Sequence, residues 1–136
     1  MEQQKIGIDI DFTITASPES MAFFALLTNV LKDKAEIHII TNRAKDDKSV
    51  KETIQELSQL GISYDYLKIT ADKAKYILEK GISIFFDDTD ETFLDLPESV
   101  MVFKPRDSGN FDFLEKKWIY GDTTGVNICD KRNKGK

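Results

Sequence analysis

Three short stretches of the chain place acids or hydroxyls at the ends of apolar runs. Asp9 and Asp11 follow KIGI, Thr41 leads Asn42 and Arg43 after IHII, and Asp87 and Asp88 follow ISIFF. Paired carboxylates at the edge of an apolar interior lose hydration worth several kcal/mol, and each makes the other harder to ionise. Something positive must answer them. A hard cation such as Mg²⁺ suits, because it is bound through one or two carboxylates, waters and phosphate oxygens. Taken alone, Asp87-Asp88 is equally a polar turn, so the partner stretches have to decide.

Asp9 and Asp11 are two residues apart. In a continuous strand both would face one side, while at a strand end the chain turns between them. One carboxylate is then placed to attack and the other to handle a proton. A carboxylate is a feasible nucleophile on phosphorus, giving an aspartyl-phosphate that water hydrolyses, and a metal helps by neutralising the phosphoryl oxygens. The departing alkoxide needs a proton, which a second carboxyl donates before acting as base towards water.

The elements that must position these residues alternate along the chain. Apolar runs at 5–10, 35–40, 64–69, 82–86 and 99–103 read as strands, and 18–34, 49–61, 72–81 and 90–97 as helices. Ser17 before Pro18 caps the first helix, whose Phe23, Phe24, Leu27, Val30 and Leu31 form one apolar stripe. On the second helix Val50, Ile54 and Leu57 share a face, and Gly61 is its stop. Strands that are apolar on both faces and separated by helices predict an α/β fold: a Rossmann-like three-layer α/β/α sandwich around a mainly parallel five-stranded sheet. Ligands of such sheets bind outside the carboxyl ends of the strands, where all three polar stretches fall. Beyond Pro105 the pattern loosens, and KKWIYG (116–121) reads as a short sixth strand at an edge.

With 136 residues, 40% hydrophobic and 32% charged, the chain is expected to form one domain over 1–136, with a core at about 5–103 and an extension at 104–136. No apolar run approaches a membrane span and MEQQKIGIDIDF lacks a signal-peptide layout, so a cytoplasmic location is expected. The single Cys129 cannot form an internal disulfide. A net charge of −5 argues against tight binding of duplex nucleic acid but leaves nucleotides open. The terminal DKRNKGK reads as a solvated tail. His38, between Ile37 and Ile39, reads as a core or sheet-face histidine, and Trp118 and Tyr120 as anchors for the C-terminal segment.

Taken together, the three stretches resemble the haloacid-dehalogenase-like (HAD) hydrolases over about Lys5 to Phe103. IGIDIDFTIT resembles the first motif, Asp-x-Asp-x-Thr, in Asp9, Asp11 and Thr13; IHIITNR the second, in Thr41; and IFFDDTD the fourth, in Asp87 and Asp88. The resemblance implies a Mg²⁺-dependent phosphomonoester hydrolase. Asp9 would be the nucleophile and Asp11 the acid/base, with the metal held by Asp9, the Asp11 main-chain carbonyl, Asp87 and Asp88. Thr41 and a third-motif lysine would hold the phosphoryl group, with Asn42 and Arg43 on the substrate side; Arg43 alternatively pairs with Asp46 or Asp47. Lys73, Lys75 and Lys68 compete for the lysine, and Lys73 is preferred because it lies in the first turn of a helix capped by Thr70, where a cation is mildly unfavourable.

Phe12 stands where many members carry glycine, and only Ile14–Ala16 and Ile69–Ala71 occupy the positions where members insert a cap. The implied enzyme is therefore capless, its site open unless residues 104–125 or a neighbouring subunit cover it. A fainter resemblance, in TNR, YDYL, DDTDE, Asn110 and Trp118, is to the cytosolic and mitochondrial 5'(3')-deoxyribonucleotidase branch, which has a helical cap. The implied substrate is a nucleotide or other small phosphate ester. A phosphorylated protein or nucleic-acid end is the alternative within the same chemistry, and a non-catalytic phosphate-binding domain the alternative outside it.

Overall fold

The structure, a computed structural model, describes residues 3–119. Tyr120, Cys129 and the basic terminus lie outside the described residues. Five parallel strands form one sheet in the order β3-β2-β1-β4-β5, made of β1 (Gln4–Ile8), β2 (Ala35–Thr41), β3 (Tyr66–Ile69), β4 (Ile84–Phe86) and β5 (Met101–Phe103). The connecting helices are α1 (Pro18–Leu31), α2 (Asp47–Gln59), α3 (Lys73–Lys80) and α4 (Asp90–Leu94). Among the described residues, no helix is long and apolar enough to cross a membrane.

Strand alternation sorts the core into two layers. Ile6, Ile8, Ile37 and Ile39 pack with Phe24 of α1 and Leu57 of α2. Ile40 and Phe85 face the other way, onto Tyr76 and Ile77 of α3 and Phe93 of α4. The predicted stripe of α1 holds for Phe24, Leu27 and Leu31, but Phe23 and Val30 are 51% and 64% exposed. Their positions lie too far round the helix to reach the sheet. On α2 the buried pair is Thr53 and Leu57, with Ile54 turned outward.

All the strands but β2, which reaches Thr41, are shorter than their apolar runs. Strand β1 stops at Ile8, and Ile10–Thr13 form a turn that leads through a 3₁₀ segment (Ile14–Ala16) directly into α1. Residues between β3 and α3 run equally directly, so neither position holds an inserted cap. Ser17 caps α1 as expected, its side chain accepting from the Ser20 N–H. The cap of α3 is Asp72, accepting from the Lys75 N–H; Thr70 instead accepts from the Asp72 N–H. Gly81 ends α3 with a left-handed φ of 69°, a conformation that favours glycine.

The segment around Lys117 does not extend the main sheet. Strand β7 (Lys117–Trp118) pairs antiparallel with β6 (Phe111–Asp112) in a separate hairpin. Its own short partner is four residues away across a turn, which is a cheaper closure than reaching the β5 edge.

Gly7, in the middle of central strand β1, lies beside His38 and Phe85 in register. A Cβ there would stand 2.9 Å from Ile40 Cδ1 and 3.0 Å from Phe85 Cδ1. Glycine is what lets the α3 layer close onto the sheet. Gly7→Val is expected to lower the unfolding free energy by about 1–3 kcal/mol through overpacking. Urea melts check this, and an unchanged midpoint would contradict the packing described.

Candidate functional site

The parallel sheet brings the ends of β1, β2 and β4 side by side, and their polar residues meet there. A cavity of about 350 Å³ is lined by Asp9, Asp11, Phe12, Thr41, Asn42, Lys73, Asp87 and Asp88, among others. The geometry begins with Asp9, which is 4% exposed. Its Oδ2 accepts from the buried Thr13 hydroxyl at 2.9 Å, a bond spanning the turn after β1. Its Oδ1 accepts from Lys73 Nζ at 2.8 Å.

Lys73 also donates to Asp87 Oδ2 at 2.9 Å. Of the three competing lysines, it is the one whose ammonium reaches the acids. Lys75 points away from the core and Lys68 lies 5.7 Å from the Tyr76 ring centroid, at another cavity. Lys73 is the first residue of α3, and the helix is held down by Tyr76 and Ile77 in the core. Packing of α3 therefore sets where the ammonium stands.

Asp87 is tied further by its own backbone: Oδ1 accepts from the Asp88 N–H at 2.6 Å and from the Thr89 N–H at 3.1 Å. Burial pushes the Asp9 carboxyl up to about 6; the charge of Asp87 adds to the rise, and the Lys73 and Thr13 interactions offset it only in part. Burial alone would lower the Lys73 ammonium, yet the charges of Asp87 and Asp9 outweigh it and leave the pKa raised. Attraction between the two charges offsets only part of what burial costs Asp9 but more than all of what it costs Lys73.

Ligand oxygens of Asp9, Asp87 and Asp88 all lie within 4.8 Å of one another, and all three residues are buried. One ammonium against three carboxylates leaves an excess of two negative charges. A divalent cation cancels that excess, and an all-oxygen donor set is the type Mg²⁺ takes. The donors present therefore fit the implied metal. Thr41 adds a second signal: its hydroxyl is buried, lines the same cavity and has no hydrogen-bond partner among the described residues. Buried hydroxyls are normally paired, so this one is set to donate to something that enters.

Asp11 lies outside the tight acid cluster. Phe12 takes a left-handed φ of 61°, its N–H bonded to the Thr15 hydroxyl. Beyond this turn Asp11 is half exposed and meets Arg43, which donates from Nε at 3.0 Å and Nη2 at 2.8 Å. Arg43 does not pair with Asp46 or Asp47; Asp46 caps α2 through Ser49. Asn42 lines the cavity rim and is exposed.

His38 stands apart, buried with Nδ1 at 2.6 Å from the Tyr76 hydroxyl and Nε2 at 2.6 Å from Glu36. It is a paired histidine of the sheet face. Asn110 carries a role that sequence spacing does not reveal. Fully buried, it donates to the Asp88 carbonyl at 3.0 Å and the Pro105 carbonyl at 2.9 Å, and accepts from the Asp107 N–H at 2.9 Å. The C-terminal extension is thereby stitched to the acid loop. Lys104 reinforces it, bonded to Asp90 at 2.6 Å and lying 4.0 Å from the Trp118 ring centroid. The signal for Asn110 would have been a lone amide between Gly109 and an aromatic run, which any loop supplies.

The sequence matches no protein-family model and no curated protein. Solved structures do share the fold. A chain from "Structure of the Pnkp1/Rnl/Hen1 RNA repair complex" aligns over 77% of this chain and 44% of that one, at 16% identity and a TM-score of 0.57. One from "Structure of Pnkp1/Rnl/Hen1 complex" aligns over 77% and 47%, at 16% identity and a TM-score of 0.56. The chain thus spans less than half the length of these structures, and the likeness is one of fold. With its parallel sheet in the order β3-β2-β1-β4-β5 between helices and no inserted cap, the chain has a Rossmann-like α/β/α fold.

Proposed function

We propose that the chain is a Mg²⁺-dependent phosphomonoester hydrolase that works through an aspartyl-phosphate on Asp9. The observation that carries this reading is the Lys73 ammonium bridging Asp9 and Asp87 in the cavity that also holds the unpartnered Thr41 hydroxyl. An acid with a raised pKa beside a cation and an orphaned donor is the pattern of a site that works on a charged group.

In this mechanism Asp9 attacks phosphorus as the ester P–O bond breaks, and Asp11 donates its proton to the departing alkoxide oxygen. Asp11 then takes a proton from water as the water oxygen bonds to phosphorus and the Asp9–phosphorus bond breaks, releasing phosphate. Thr41 and Lys73 donate to the phosphoryl oxygens throughout. Asp9, Asp87, Asp88 and the Asp11 main-chain carbonyl would hold Mg²⁺, which would supply charge neutralisation.

The substrate class favoured is a small phosphate ester such as a nucleotide. A second reading, a phosphorylated nucleic-acid end, is supported by the uncapped cavity and by the fold shared with chains of an RNA repair complex. Phosphate release from nucleotides, sugar phosphates, phosphopeptides and 3'- or 5'-phosphorylated oligonucleotides, with and without Mg²⁺, distinguishes the two.

Asp9→Asn is expected to keep the fold and to lower turnover by at least about a thousandfold, since an amide cannot be the nucleophile. Near wild-type phosphate release from this variant would dismiss the mechanism. Asp11→Asn is expected to slow alkyl phosphates far more than aryl phosphates, whose leaving group needs no proton; equal losses would remove Asp11 as the acid.

Metal binding has a pH signature. Asp9 is raised from 3.8 to about 6, so without metal its contribution to stability is complete below pH 3.8 and lost as pH rises through 6. Mg²⁺ must displace that proton below pH 6 and meets a carboxylate above it. Melting curves are expected to show a Mg²⁺-induced rise in Tm at pH 7.5 that shrinks at pH 5 and is much smaller in Asp88→Ala. A rise of equal size at both pH values would place the metal elsewhere.

A further inference from the structure

Arg43 comes two residues after Thr41, beyond the carboxyl end of β2, and is bonded to Asp11 of the cavity lining, where a cation invites assignment to a phosphate. Its hydrogen bonds point elsewhere. A guanidinium has five N–H donors, and Arg43 uses all of them within the protein. Nε and Nη2 hold the two oxygens of Asp11 at 3.0 and 2.8 Å. Nη1 meets the Thr53 hydroxyl at 3.3 Å and Glu56 Oε2 at 2.8 Å, and Nη2 reaches Glu56 Oε1 at 3.3 Å. Nothing remains to donate to a substrate oxygen while this arrangement stands.

The consequence lies at Asp11. Its turn places it outside the cluster of Asp9, Asp87 and Asp88, yet on the same cavity. In an in-line displacement the attacking and departing oxygens lie on opposite sides of phosphorus, so the acid must stand off from the nucleophile. Asp11 is half exposed in the turn after β1, so burial does not hold its side chain still. The bidentate fork supplies the fixed orientation. Arg43 is itself held by α2, through Thr53, which is buried, and Glu56, one turn further along the same face.

We infer that Glu56, acting through Arg43, is a positioning residue for Asp11: α2 sets the place from which the acid meets the leaving group, and Arg43 is not a phosphate ligand. This rests on the hydrolase reading above. It assigns a function to a helix that contributes no side chain to the cavity lining named above.

The test uses Glu56→Ala and Arg43→Lys, which keeps the charge and loses the fork, against an alkyl and an aryl phosphate. Glu52→Ala, exposed on the same helix beside Lys48, is the control. Both variants are expected to lower kcat for the alkyl phosphate about tenfold or more, a fraction of the roughly 10²–10⁴ that proton transfer supplies. KM and the aryl phosphate rate should change by less than about twofold, and Glu52→Ala by nothing. If Arg43 binds phosphate instead, Glu56→Ala frees its guanidinium and lowers KM, while Arg43→Lys raises KM for both substrates alike; that pair of results overturns the inference. Equal losses on alkyl and aryl substrates, or none, overturn it too, leaving the hydrolase reading intact. A wild type without phosphatase activity overturns both.

Discussion

Three buried carboxylates at adjoining strand ends are the constraint on which the rest of this structure depends. A parallel sheet brings the ends of β1 and β4 together, so Asp9, Asp87 and Asp88 are crowded by the topology itself. Their charges are tolerable only because Lys73 reaches two of them. Removing one partner from a buried ionic group leaves an uncompensated charge, which is far more costly than the pair is favourable. The position of α3 is thus an electrostatic requirement as well as a packing one. The two residual negative charges are what a divalent cation could neutralise.

Apolar packing places the cation, and this explains why a lysine stands at an unfavourable point on its helix. As the first residue of α3, Lys73 sits at the positive end of the helix dipole, where a cation loses a few tenths of a kcal/mol. Contact with Asp9 and Asp87 at a buried site outweighs that loss. The helix is short, and Tyr76 and Ile77 anchor it in the same core layer as Phe85 of β4. Gly7 lets that layer close. A change in the hydrophobic layer is therefore transmitted to the charge balance.

Element types and order were legible in the sequence because apolar runs alternate with helical stripes, and Ser17-Pro18, Gly61 and Gly81 mark helix ends. Asp9, Thr41, Asp87 and Asp88 were legible for a related reason: polar residues directly after buried strands in a parallel sheet have one place to go. What escaped is non-local. Lys73 was preferred to Lys75 for its place in the first turn of α3, but spacing alone does not give the direction in which each leaves the helix. Glu56 and Asn110 act across 13 and 22 residues of chain, and isolated polar residues in a helix or loop carry no signature of their targets. The hairpin of β6 and β7 was misread as a sheet edge because two-residue strands are too short for alternation to show.

The adjacent acids of the β4 end are not duplicates. Asp87 accepts from two backbone N–H groups and the Thr89 hydroxyl on one oxygen, and from Lys73 on the other. Such a carboxylate shapes its own loop as well as adding charge, since each bond fixes a backbone direction after β4. Asp88 is oriented by that loop, and its carbonyl is pinned from the far side by Asn110. Two independent supports, one from the strand end and one from the C-terminal extension, therefore converge on a single acid. A polar turn at the surface would need neither. The convergence is the physical reason to regard the extension as part of the site: Asn110 ties it to the loop at Asp88, and Lys104 ties it again at Asp90.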